Sequence, residues 1–201
     1  MVETESALVG RLRAGDRAAF TQLVREHHAR LIRLAMVFAR SRATAEEVVQ
    51  ETWLAAITGI AGYSGEAPIR AWLSGIVANK ARTRATRDGR SISFEELGPA
   101  VDPSRFAADG HWLERFGPCD WLTPERVAGD RQLLERISAV LDRLPEAQRA
   151  VILLRDVDGL EPAQICAALA ISDANLRVLL HRGRARLRDA AASLLDSARA
   201  G

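Results

Sequence analysis

The sequence predicts an all-α protein with two small helical domains joined by an acidic, proline-containing linker, the second domain ending in a helix-turn-helix. Apolar residues recur at spacings of three, four and seven on both sides of residues 91–129. Asn-Gly or Asp-Gly turns flanked by strand-like runs, which mark β-hairpins, are missing. The stretch between the domains lacks an apolar period and contains Pro99, Pro103, Pro118 and Pro124. We therefore expect domains at residues 1–90 and 130–201, with a linker at 91–129.

Three helices are predicted in the first domain. Apolar residues at helical spacing predict a long helix over residues 16–40. Thr44 and Glu47 form a capping-box pattern, which predicts that a second helix starts there. The glycines of residues 59–65 predict a loop. Pro68 suits the first turn of a third helix that ends in a series of arginines.

The second domain is predicted to contain a helix-turn-helix. A helical pattern stops at Pro145 and resumes after it, and Asp158-Gly159 indicates a turn. Two short helices are then expected, at roughly 161–169 and 173–188, with Ser172 as the N-cap of the second. Their facing apolar residues would close a small core: Ile165, Leu169, Ile171, Leu176 and Leu180.

Charge is distributed unevenly along the chain. Residues 70–90 carry six basic side chains and one acid, and residues 174–188 carry five arginines and no acid. Residues 91–135 carry nine acids against four arginines. The net charge of +2 therefore conceals two basic patches around an acidic middle. A solvated helix face explains one such run, whereas two separate patches favour a polyanionic partner.

The second helix of the predicted motif carries side chains suited to reading DNA. Arginine pairs with guanine through two hydrogen bonds, asparagine pairs with adenine, and further arginines neutralise phosphates. The alternative is an ordinary helical hairpin with a solvated arginine face, but acid-free runs of five arginines are uncommon there. The side chains expected on the exposed face are Asn175, Arg177, His181 and Arg182, with Arg184, Arg186 and Arg188 continuing outward.

Several classes of protein are excluded by what the sequence lacks. Cys119 and Cys166 are too far apart for a zinc motif and too few for a disulfide framework. His27 and His28 are adjacent, so they point to different sides of a helix. No phosphate-binding glycine loop or nucleophile motif is present. We expect no metal, no cofactor and no enzymatic activity. The first residues lack the order of a signal peptide, and no long apolar run is present, so we expect a cytoplasmic protein without membrane insertion.

Three strings in this order resemble bacterial RNA polymerase sigma factors of the extracytoplasmic-function class. They are AEEVVQETWLAAI at 45–57, LPEAQRAVILLRDVDGL at 144–160 and EPAQICAALAISDANLRVLLHRGRARLR at 161–188. The resemblance covers most of the chain. It implies that the protein binds core RNA polymerase and directs it to promoters, with the first domain capturing the unwound −10 element and the second reading the −35 element. It also implies an anti-sigma factor as a partner.

The resemblance further implies roles for individual residues. The −35 set is Ser172, Asn175, Arg177, His181, Arg182, Arg184 and Arg186. The −10 set is Tyr63, Asn79, Lys80, Arg82 and Arg84, although Tyr63 is equally suited to anchoring its loop. The set expected to dock on core polymerase is Glu46, Glu47, Gln50 and Glu51. The alternative interpretation is that these residues form a solvated helix surface.

Three residues depart from what the motif favours. Ala170 stands in the turn where this family often has glycine, Glu161 is a poor helix cap, and Gly183 should weaken the second helix by about 1 kcal/mol. A different class of function stays open: a stand-alone helix-turn-helix regulator whose residues 1–90 sense a signal or dimerise. Such a protein should bind duplex DNA tightly without polymerase, usually as a dimer.

Overall fold

The computed structural model describes residues 4–90, 92, 94 and 138–199, with side chains through residue 190. Within these residues the regular structure is entirely helical, which confirms the predicted fold class. The first lobe contains α1 (Glu5–Arg13), α2 (Arg17–Phe38), α3 (Arg42–Gly59), a 3-10 turn (Ile60–Gly62) and α4 (Ile69–Arg87). The second lobe contains a helical stretch at 138–143, α5 (Glu146–Ile152), a π-helical turn (Leu153–Val157), α6 (Pro162–Leu169) and α7 (Asp173–Arg199). Most of the predicted linker, with Trp112, Trp121 and Cys119, lies outside the described residues.

Helix α2 is the long helix that the sequence predicts. Asp16 caps it, because its carboxylate accepts hydrogen bonds from the backbone N–H groups of Ala18 at 2.8 Å and Ala19 at 3.3 Å. The Arg11 side chain donates to the same carboxylate at 2.7 Å. The bond from Arg11 and the two backbone bonds lower the pKa of Asp16, since all three favour the ionised form.

Helix α3 begins earlier than the capping pattern predicts. Its N-cap is Ser41, whose Oγ accepts from the N–H of Thr44 at 3.1 Å. Thr44 therefore lies inside the first turn, and the prediction of a start at Thr44 was wrong. Glu47 does not reach back to a cap but pairs with Arg84 Nη1 at 2.9 Å.

Helix α1 is an element that the sequence analysis did not predict. Its buried residues Leu8, Val9 and Leu12 join the core of the first lobe. The Glu5 carboxylate accepts from the Tyr63 hydroxyl at 3.0 Å and from the Ile69 N–H at 2.8 Å. Glu5 thus fixes the loop before α4 as well as the first turn of that helix.

In the second lobe, the predicted turn at Asp158-Gly159 is present. The π-helical turn ends at Val157. Asp158 caps it by donating its N–H to Leu153 O at 2.8 Å, and Gly159 follows with φ of 65°. A positive φ is the conformation that glycine adopts at little cost. Ile165, Leu169 and Leu176 are buried as predicted, whereas Ile171 and Leu180 are only partly buried.

The two lobes pack against each other, and their buried apolar residues form one contiguous cluster. Helix α4 packs on α6, and α2 packs on α5. Gly75 lies at the first contact, where a Cβ added to it would be 3.5 Å from Ala168 Cα. The sequence predicts two domains and a linker but gives no indication of this contact. Among the described residues, no single helix is both long and apolar enough to cross a membrane.

Candidate nucleic-acid interface

Helices α6 and α7 form a helix-turn-helix. The axis of α6 and the axis of α7, measured over residues 173–190, differ by 101°. This angle lies within the range of about 90–120° that the motif shows. The turn passes through Ala170, which has φ of 54° and ψ of 50°, and the N–H of Ile171 donates to Cys166 O at 3.1 Å. Ser172 Oγ accepts from the Asn175 N–H at 3.2 Å, which confirms Ser172 as the cap of α7.

The start of α6 corrects an expectation about Glu161. The Gln164 side chain accepts a hydrogen bond from the Glu161 N–H at 3.1 Å, as in the returning half of a capping box. Pro162 occupies the first helical position, where its missing N–H costs nothing. Glu161 is therefore part of a capping arrangement despite its residue type.

The outer face of α7 presents cations to solvent. The Arg177 side chain is 79% exposed and pairs with Asp173 at 2.6 Å. Arg184 is also exposed and donates to both carboxylate oxygens of Asp156, at 3.0 and 2.5 Å. The hydrogen bonds that Arg184 donates to Asp156 raise the pKa of Arg184, because they favour the protonated guanidinium. Arg186 is exposed and donates to Gln148 Oε1 at 2.8 Å.

The other residues predicted to contact the −35 element are less exposed. His181 and Arg182 are half-buried. Asn175 is also half-buried, and its amide donates to the backbone carbonyl of Phe94 at 2.6 Å. A groove of about 690 Å³ follows this helix, lined in part by Arg177, His181 and Arg184. Of the residues predicted for this face, the arginines are therefore outermost, whereas Asn175 is turned toward Phe94 of the predicted linker.

The predicted −10 residues lie on or near α4, with differing exposure. Asn79 is exposed. Lys80 Nζ lies 3.6 Å from Glu51 Oε2, and Arg84 Nη1 lies 2.9 Å from Glu47 Oε2. Arg82 donates to Leu169 O at 3.1 Å, and its guanidinium lies 5.0 Å from the centre of the Phe94 ring.

Tyr63 lies apart from this group, because it is a buried anchor of its loop. It is 5% exposed, its hydroxyl donates to Glu5 and to Ala67 O, and its ring packs against Trp72 with centroids 5.1 Å apart. Burial raises the pKa of Tyr63, and the hydrogen bond that its hydroxyl donates to Glu5 adds to the effect. Of the two roles expected for Tyr63, the described conformation fits the loop anchor and does not present the ring to a base.

The predicted polymerase-docking residues share one exposed face of α3: Glu46, Glu47, Gln50 and Glu51. The sequence analysis missed the apolar end of this face, where Leu54 is 65% exposed and Ile57 is 50% exposed. The signal was available, since Leu54 follows Gln50 by four residues and so lies on the same side of the helix.

Comparisons with known proteins match both lobes. The family model described as Sigma-70 region 2 matches residues 23–91, and that described as Sigma-70, region 4 matches residues 134–187. The chain is 32% identical over 178 residues to the ECF RNA polymerase sigma factor SigE of Mycolicibacterium smegmatis, covering 87% of this chain but 63% of SigE. It is 30% identical over 193 residues to the ECF RNA polymerase sigma factor SigD of Mycobacterium bovis, covering 93% of this chain and 84% of SigD.

The fold also resembles a solved structure. CnrH, in complex with the cytosolic domain of CnrY, superposes with a TM-score of 0.59 at 24% sequence identity. The match covers 97% of this chain and 99% of CnrH. At this level of identity the likeness concerns the fold alone.

Proposed function

The chain belongs to the sigma-70 family, among its ECF RNA polymerase sigma factors, and on that premise we propose that it binds core RNA polymerase and directs it to specific promoters. The observation that carries the proposal is the helix-turn-helix with a cationic outer face, joined in one chain to a second cationic helix, α4. Residues 1–90 form the unit for the polymerase and the −10 element, residues 91–129 the linker, and residues 130–201 the unit for the −35 element.

Helix α7 reads the −35 element in the major groove. Arg177 supplies a long, exposed guanidinium near the start of the helix, where recognition helices contact base edges. Arg184 and Arg186 lie two turns further on and neutralise phosphates. Asn175, His181 and Arg182 lie closer to the protein surface and complete the contact set.

Helix α4 captures the unwound −10 strand. Unstacking a base costs a few kcal/mol, and a pocket that holds the base with cations along the backbone offsets that cost. Asn79 is exposed and can hydrogen-bond to a base edge, while Lys80, Arg82 and Arg84 follow the strand. The buried position of Tyr63 gives it a supporting role, since it fixes the loop that leads into this helix.

The outer face of α3 docks on core polymerase. It combines four exposed polar or acidic side chains with the exposed Leu54 and Ile57. A protein interface of this composition gains orientation from the charges and affinity from the apolar area. Lys80 and Arg84 pair with Glu51 and Glu47, so the docking face and the −10 face are adjacent.

An anti-sigma factor is part of the proposal. CnrH, whose fold this chain shares, is described in complex with the cytosolic domain of CnrY. A protein that covers the α3 face or the α7 face blocks the contacts on which promoter use depends. The stand-alone regulator is not favoured, because the matched family regions lie in both lobes and not only in the helix-turn-helix.

Run-off transcription tests the proposed function. Purified protein added to core polymerase should initiate at a discrete promoter, identified by sequencing the transcripts, that core polymerase alone ignores. Random initiation without a stable complex would contradict the proposal. Tight binding of the same duplex without polymerase, by a dimer, would instead support the regulator.

A matched pair of charge reversals locates the polymerase contact. We expect Glu46→Lys, on the exposed α3 face, to lower the affinity for core polymerase about tenfold, because it reverses a charge in the interface. Glu26→Lys makes the same change at an exposed position of α2 outside the proposed face and should leave the affinity unchanged. Equal loss in both variants would show that net charge, and not the α3 face, controls binding.

A further inference from the structure

Two carboxylates contact the cationic outer face of α7, although residues 174–188 contain no acid. Asp173 precedes that run, and its Oδ2 lies 2.6 Å from Arg177 Nη2. Asp156 belongs to the π-helical turn after α5 and accepts from Arg184 Nε at 3.0 Å and from Arg184 Nη2 at 2.5 Å. Arg177 and Arg184, both of the −35 set, therefore each carry a carboxylate partner within the protein itself.

Both carboxylates are accessible on the side of α7 that the proposed function places on DNA. The Asp173 side chain is 55% exposed and the Asp156 side chain is 35% exposed, beside arginines that are 79% and 49% exposed. Asp156, Arg177 and Arg184 also line the groove that follows this helix. A DNA strand that contacts these arginines therefore brings its phosphates close to both carboxylates.

From this arrangement we propose that Asp156 and Asp173 are specificity-determining residues of the −35 face, which weaken its binding to the DNA backbone and preserve its binding to bases. The inference rests on the proposed function, because it concerns the helix that reads the −35 element. Sequence-independent affinity for DNA comes from cations that neutralise phosphates, so a face that is partly neutralised by the protein's own carboxylates has less of it. Specificity is a difference between two affinities, and lowering the affinity for wrong sequences raises it.

The pair of Asp173 with Arg177 distinguishes a guanine contact from a phosphate contact. The guanidinium has several N–H donors, and the ion pair places Nη2 against the carboxylate. The remaining donors can still reach O6 and N7 of guanine, which is an uncharged base. A phosphate at the same place meets the negative charge of Asp173 as well as the positive charge of Arg177, so its net attraction is small. The pair therefore favours base readout over contact with the backbone.

The pair of Asp156 with Arg184 fixes the direction of a long side chain. Two hydrogen bonds hold the planar guanidinium by the edge that carries Nε and Nη2. Nη1 then remains for a phosphate. An arginine held in this way contacts a phosphate only where the register of the DNA brings one to Nη1, whereas an arginine with free rotamers can follow the backbone in any register. Asp156 is thus a positioning residue that acts through Arg184.

Replacement of each carboxylate by its neutral amide tests the inference in the holoenzyme. Asp173→Asn and Asp156→Asn keep the size of the side chain and remove its charge. Each variant is combined with core polymerase and transcribes a library of the mapped promoter that is varied in both elements. We expect unfavourable −35 sequences to gain about threefold in transcription relative to the best sequence, as for the loss of one exposed charge pair, while the −10 preferences stay unchanged. Raising the salt concentration should restore part of the lost discrimination, because the added affinity comes from phosphate contacts.

Two control variants separate the charge at these positions from net charge and from stability. Asp156→Glu keeps the carboxylate and should keep the −35 selectivity of the wild type. Asp142→Asn removes a 70% exposed carboxylate whose partner is Arg149 of α5 and not an arginine of α7, so it should change no preference. A loss of stability alone lowers transcription from every sequence alike. Unchanged −35 selectivity in both Asn variants of the face, or equal relaxation in Asp142→Asn, would overturn the inference. A wild-type holoenzyme without any promoter preference would instead count against the proposed function itself.

Discussion

At the scale of single residues, Ala170 is the clearest case of local strain. It adopts φ of 54° in the turn of the helix-turn-helix, within the left-handed region that costs a residue with a Cβ about 1–2 kcal/mol. Glycine enters this region without that cost but loses more entropy on folding. We expect Ala170→Gly to raise the free energy of unfolding by about 1 kcal/mol, measured by urea denaturation.

The control for this substitution lies three residues earlier. Ala167 is exposed on α6 in a helical conformation, so Ala167→Gly should lower the free energy of unfolding by up to about 1 kcal/mol. Opposite signs in the two variants identify backbone conformation as the cause. If both substitutions destabilise the protein equally, the turn at Ala170 is not strained.

The exposure of some proposed site residues was predictable from sequence, but the orientation of others was not. Arg177 and Asn79 are exposed as the helical periodicity implies. Tyr63 is buried because Glu5 accepts its hydroxyl hydrogen, and that partner belongs to a helix that sequence analysis missed. Asn175 faces Phe94 for a similar reason, since its partner lies far along the chain. The spacing of apolar residues predicts which face of a helix is exposed. Tertiary contacts decide which side chains on that face already have a hydrogen-bond partner within the protein.

At the scale of elements, Gly183 shows why an unfavourable residue occurs within α7. Sequence reasoning assigns it only a cost in helix stability. In the structure, a Cβ added to Gly183 would lie 2.5 Å from Ile152 Cδ1 and 3.4 Å from Gln148 Cβ, so the glycine lets α5 approach α7. The helix gives up some intrinsic stability, and the core of the second lobe gains a close contact.

A double-mutant cycle tests this close contact. Gly183→Ala removes the flexibility of glycine but overpacks against Ile152, and Ile152→Val removes the Cδ1 atom that is in the way. We expect the double variant to be more stable than the sum of the single effects by about 0.5–3 kcal/mol. Thermal or urea unfolding of the four proteins measures this coupling. Simple additivity would mean that Ile152 moves aside freely and the glycine is not needed for packing.

The helices with long apolar periods were predicted, and those without them were not. Helices α2 and α4 have many apolar positions, so their existence was evident from sequence. Helix α1 has nine residues, with Gly10 in its middle, and its three buried residues form too short a pattern. The start of α3 was misplaced because Ser41 and Thr44 are both suitable caps, and only the hydrogen bond to Ser41 Oγ decides between them.

At the scale of the whole molecule, the two-lobed organisation was predictable and the packing of the lobes was not. The composition change at residues 91–129 separates two helical regions in the sequence. Their contact depends on Gly75 against Ala168 and on the pairing of Arg30 with Asp158. The sequence does not mark any of these residues as a contact between the lobes, because small side chains and single charges are common on solvated helices.

The proposed function requires that α4 and α7 read two separate promoter elements at once. Promoter selectivity, measured by transcription from a library of variants of the mapped promoter, tests it most directly with Asn79→Ala and Arg177→Ala holoenzymes. Arg17→Ala removes an exposed arginine outside both faces and serves as the control. We predict that Asn79→Ala relaxes selectivity only in the −10 element and Arg177→Ala only in the −35 element, each by about 1–3 kcal/mol, while Arg17→Ala changes neither. Relaxation of the same element by both substitutions, or of no element by either, would contradict the account.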